Sequence, residues 1–85
     1  MDELYQLIEE KIRQSGYPHD VDGREFYRDI SAEADEKEPG TYMFLIKKDE
    51  VTSYQGCMEI LEDQFDLHYV DITVGQKTFH IDFDA

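Results

Sequence analysis

Cysteine is nearly absent from this sequence: Cys57 stands alone. No intramolecular disulfide can form, so a disulfide-stapled secreted scaffold is excluded. Long apolar runs are missing as well. The longest, Tyr42 to Ile46, is far too short to cross a bilayer. No basic segment followed by an apolar run opens the sequence, so no signal peptide is expected and the cytoplasm is the expected location. Basic residues are scarce, with 8 Lys and Arg against 21 Asp and Glu and a net charge of −13. Apart from Lys47-Lys48 they are scattered. Direct binding to nucleic acid or to an anionic membrane is therefore not expected, because both need cations to neutralise phosphate. A basic protein partner fits this charge better.

What is present suffices for one packed domain over residues 1–85. The hydrophobic share is 40%, including 6 Tyr and 5 Phe, so the composition is not that of a disordered chain.

From Asp2 to Ser15, Leu4, Leu7, Ile8 and Ile12 recur at helical spacing, with Asp2 and Glu3 at the positive end of the dipole. Gly16 and Pro18 end that helix. Asp22 is placed to cap a second helix, with Glu25 three residues on as in a capping box. Phe26, Ile30 and Ala34 share a face, Tyr27 lies beside them, and the helix should fray near Glu36 to Glu38 ahead of Pro39-Gly40. Thr41 to Lys48 reads as a strand with apolar residues on both faces, either covered on both sides or covered on one and partnered on the other. Val51 to Asp66 reads as a third helix, with Tyr54, Met58, Leu61 and Phe65 on one face and Cys57 flanking. Gly56 inside it costs roughly 1 kcal/mol against Ala, which suggests close approach to another backbone.

Leu67 to Val74 and Lys77 to Asp84 are two alternating runs around Gly75-Gln76, as in a two-residue hairpin with Gly at its first central position. Pairing Val74 with Lys77 sets Ile72 against Phe79 and Asp71 against His80. One face then holds Val70, Ile72, Val74, Phe79 and Ile81, with His68 beside Phe83. The other holds Tyr69 with Asp82, Asp71 with His80 and Thr73 with Thr78. The expected architecture is α+β, in the order α-α-β-α-β-β. A right-handed crossover would give a three-stranded mixed sheet in the order 1-3-2, helices packed on it.

No catalytic, cofactor or metal signature is present. Asp20, Asp22 and Gly23 lack the third oxygen ligand and the distal Glu of a calcium loop, where Arg24 and Ser31 stand. His19, His68 and His80 form no ligand pair with one another or with Cys57. Cys57, on an anionic segment, is expected to be structural. Tyr69, Asp71, His80 and Asp82 would be the catalytic patch if the protein were an enzyme, but no nucleophile or oxyanion site accompanies them. A favourable cross-strand pair on a solvated face accounts for Asp71 and His80 equally well.

The acidic residues carry more pattern. Glu25, Asp29, Glu33 and Glu36 form a like-charge stripe on the second helix, and Glu59, Glu62, Asp63 and Asp66 another on the expected third helix. Like-charge neighbours at these spacings destabilise an isolated helix, so the stripes do not serve helix stability. The expected function is a small acidic binding or regulatory protein that docks a basic protein through these residues, in its strongest form by standing in for the phosphates of a nucleic acid. An accessory domain of a larger assembly, joined through a free sheet edge, is the alternative, and a small enzyme a third.

Overall fold

The computed structural model describes residues 2–35 and 37–84. Two helices, α1 (Asp2–Gln14) and α2 (Gly23–Ala34), precede four strands: β1 (Gly40–Lys47), β2 (Thr52–Ile60), β3 (Phe65–Val74) and β4 (Lys77–Asp82). The strands form one antiparallel sheet in the order β1-β2-β3-β4. Neither described helix is long and apolar enough to cross a membrane.

Both helices begin where their sequences direct; α2 ends at Ala34, short of the expected fraying near Glu36 to Glu38, and Glu25 does not close a capping box. Asp2 and Glu3 occupy the first turn of α1, Lys11 and Arg13 the last, and Gly16 follows with φ of +93°. Ile8 and Ile12 are buried, whereas Leu7, on the expected apolar face, stays 48% exposed. The Asp22 side chain caps α2 by accepting from the Arg24 and Glu25 amides. Glu25 turns towards Lys48 on the β1–β2 connection, 3.5 Å away. The helices cross closely at Gly23, where a Cβ would meet the Tyr5 carbonyl oxygen at 2.3 Å. The Gly23 amide there donates to Glu9 Oε2 at 2.8 Å.

The expected third helix does not form, and the mixed 1-3-2 sheet falls with it: residues 52–60 are a strand. Tyr54 and Met58 are four apart, a spacing that lies on one face of a helix and equally on one face of a strand. The strand is distinguished by the residues between and beyond: Tyr54, Gly56, Met58 and Ile60 are all buried, a period of two. Gly56 belongs to that row. A Cβ there would lie 2.3 Å from the Tyr69 carbonyl oxygen and 2.7 Å from Phe44 Cζ, so the close backbone approach is real but occurs within a sheet. With β2 a strand, each connection becomes a hairpin and no parallel crossover is needed. Asp49 shapes the first hairpin by accepting 2.8 Å bonds from the Val51 and Thr52 amides, which hold its carboxyl below the usual carboxylate range. Leu61 and Phe65, on the apolar face of the expected third helix, are only half-buried, and Phe65 stacks on Tyr27 at the sheet margin.

The β3–β4 hairpin has the expected register throughout, from Val74 opposite Lys77 to Tyr69 opposite Asp82, and Gly75 has φ of +62°. One expected placement fails. β3 carries an extra residue, so Cys57 pairs with Tyr69 while Met58 pairs with Leu67. This bulge turns His68 away from Phe83 to the opposite face, where it meets Asp84 and Glu59.

The core lies between the helices and one face of the sheet: Ile8, Ile12, Phe26 and Ile30 pack against Phe44, Tyr54, Met58, Val70, Ile72 and Ile81. Phe26 spans the layers, its ring 5.1 Å from that of Tyr54 and 6.5 Å from that of Phe83. No described polar or charged residue is buried.

Candidate functional site

Strand alternation places every second residue on the face turned away from the helices. That outer face can be read as cross-strand rows: Thr41, Glu59 and Asp66; Met43, Cys57, Tyr69 and Asp82; Leu45, Gln55, Asp71 and His80; Lys47, Ser53, Thr73 and Thr78. No described element covers it, since α1 packs towards β4 and α2 towards β1 on the other side.

Charge and apolar surface are segregated across these rows. At the β1 side Met43 and Leu45 are 60% and 61% exposed. Tyr69 joins the two zones: its hydroxyl lies 3.8 Å from Met43 Sδ, and its ring is 5.4 Å from that of His80. Carboxylates dominate beyond it, with Glu59, Asp66, Asp71 and Asp82 in the rows and Asp84 following β4. Lys47 is the one Lys or Arg among the rows. Glu59 stands directly opposite Asp66, a like-charge pair that costs stability in a sheet.

The two histidines moderate this charge. His68 Nδ1 is 2.9 Å from Asp84 and its Nε2 is 3.6 Å from Glu59. The hydrogen bond to Asp84, reinforced by both carboxylates, raises the His68 pKa above its ordinary value. His80 Nδ1 meets Asp71 Oδ1 at 2.5 Å, so the expected pair forms, with Tyr69 and Asp82 flanking it on an open face. Cys57 sits half-buried in the row between Met43 and Tyr69. Among the described residues no group of three or more His, Cys, Asp or Glu side chains is arranged to hold a metal ion.

The two expected acidic stripes fare differently. On α2, Glu25 and Asp29 both engage Lys48 Nζ, whose pKa is raised chiefly by its hydrogen bond to Asp29. That stripe is thus partly neutralised from within. Glu33 is half-buried on the same helix, and Glu36 lies outside the described residues. The second stripe is not a helical face at all. Glu59 and Asp66 face each other across β2 and β3, and Glu62 and Asp63 are exposed in the turn joining these strands. The four acids nonetheless gather at one end of the sheet. Sequence reasoning missed Met43, Leu45 and Tyr69 as their neighbours, although the alternation of 41–47 carries that signal once β1 is known to be covered on one side only. No protein-family model, curated protein or solved structure matches the chain.

Proposed function

We propose that the chain is a small cytoplasmic binding protein whose outer sheet face receives a basic protein partner. The observation that carries this reading is the open face itself, which holds exposed Met43 and Leu45 at the β1 side and Glu59, Asp66, Asp71 and Asp82 across the other strands. Apolar surface supplies contact that excludes water, while carboxylates steer a cationic partner and repel anionic ones. The unfavourable Glu59–Asp66 juxtaposition supports a role outside folding, because a basic side chain bridging the two would relieve it. The α2 acids contribute less, since Lys48 already answers two of them. A lone free thiol suits a reducing compartment.

The test pairs two neutralised proteins. One carries Glu59→Gln, Asp66→Asn and Asp82→Asn; the other carries Glu25→Gln, Asp29→Asn and Glu33→Gln. A partner captured from native lysate at low salt and identified should associate more slowly with the first variant and near-normally with the second. The reverse order would move docking to α2, and equal binding by both would reduce the carboxylates to solvated surface.

A further inference from the structure

We infer that two copies of the chain pair edge to edge through β1, closing into one eight-stranded antiparallel sheet. This inference rests on the edge of the sheet and does not depend on docking at the outer face, although it shares Glu59 with that face.

β1 and β4 are the two edges. Their exposed backbone groups differ in how they are protected. The Lys48 amide donates to the Thr52 carbonyl, and the β1–β2 register continues that pair through Ile46 with Tyr54 and Phe44 with Gly56. Hydrogen bonding alternates along an antiparallel strand, so the N–H and C=O groups of Thr41, Met43, Leu45 and Lys47 point outward. These groups invite another strand. From Thr41 to Ile46 no charge interrupts the edge, and Gly40–Lys47 contains no acidic residue in a chain of net charge −13. At the other edge, by contrast, Asp82 is charged and its carbonyl accepts a 3.2 Å bond from Lys11 Nζ.

Charge selects both the occupant and the register. A basic strand would find no carboxylate on β1, whereas a second copy can meet its least acidic strand with the same strand. In a two-fold pairing centred on Phe44, Met43 faces Leu45 of the other copy, and Lys47 faces Thr41. The row beyond Thr41 continues to Glu59 and Asp66. Strand spacing then sets each Lys47 Cα about 10 Å from the other copy's Glu59 Cα, a gap that two long side chains on one face can close. Shifting the pairing by two residues sets Lys47 opposite Met43 or Pro39 and loses the acid. The centred register also groups both copies of Met43 and Leu45 in the middle of the joined outer face, with carboxylates on either wing.

Sedimentation velocity at moderate salt, across micromolar to millimolar protein, tests the pairing. The unaltered chain should reach a dimer and stop there, because the two-fold contact closes on itself. Leu45→Pro removes an outward N–H that no intramolecular bond uses, and should give a folded monomer by circular dichroism. Lys47→Glu should weaken dimerisation about tenfold, and Lys47→Glu combined with Glu59→Lys should restore it. A chain that stays monomeric at millimolar concentration would overturn the inference. So would a dimer that survives Leu45→Pro, or charge reversal that the second reversal fails to rescue. If Leu45→Pro unfolds, the Lys47 and Glu59 exchange decides alone.

Discussion

The two faces of the sheet are built from the same strands, yet they obey different rules. The inner face is apolar and nearly dry: Met58, Val70 and Ile72 have no measurable exposure beneath the helices. The outer face carries exposed Met43 and Leu45 at one side and carboxylates across the rest, one pair of which stands like against like. Burial supplies the driving force for folding on the first. On the second, His68 and His80 answer some of the carboxylates, but neither burial nor charge pairing accounts for exposed Met43 and Leu45 or for Glu59 set opposite Asp66. A sheet that needed only to fold could have alternated its outer charges. The difference separates residues that hold the fold from residues free to serve binding.

Substitutions should divide along the same line. Ile72→Ala or Met58→Ala on the inner face should cost about 2–5 kcal/mol of unfolding free energy in urea. A loss below about 1 kcal/mol would mean that the helix layer docks loosely. Gly56→Ala should cost about 1–3 kcal/mol, because its Cβ has no room beside the Tyr69 carbonyl and the Phe44 ring. Tolerance at that position would contradict the tight β2–β3 approach. Asp22→Ala, which uncaps α2, should cost about 1 kcal/mol by the same measurement. On the outer face, Leu45→Ala and Glu59→Gln should each stay within about 0.5 kcal/mol of the parent, with Glu59→Gln free to stabilise. A larger loss there would erase the distinction between the faces.

The finest test uses pH. His68 has a raised pKa because Asp84 accepts its hydrogen bond and Glu59 lies nearby. The folded chain therefore favours the protonated ring. Its contribution to stability is complete below the unfolded value of about 6.5 and is lost as pH rises through the raised folded value. Asp84→Asn should flatten the urea midpoint over that interval, while a pH profile identical to the parent's would sever His68 from Asp84.

The hairpin was legible because two independent signals agreed. Alternation from Val70 onward set the faces and Gly75-Gln76 set the register, so every pair from Val74–Lys77 to Tyr69–Asp82 followed. β2 was not legible because four-residue spacing between Tyr54 and Met58 fits both periods. Gly56, without a side chain, concealed the buried position between them. Reading its helix penalty as a reason for strand would have corrected the topology. The candidate site inherits that error: the helical reading puts Glu59 and Asp66 on one stripe of a helix, whereas they pair across two strands of the sheet. The bulge at His68 does mark the alternation: Phe65 and Leu67 are one residue out of step with Val70, Ile72 and Val74, which is the sign of an inserted residue between the two sets.

Docking on the outer face is tested most directly by the rate at which the identified basic partner associates with the Glu59→Gln, Asp66→Asn, Asp82→Asn protein, measured by stopped flow at rising salt. The variant should fold with a urea midpoint equal to or above the parent's. Its association should be slower at low salt and converge with the parent's as screening removes the long-range attraction. Identical rates for parent and variant at every salt concentration would contradict a docking role for this face.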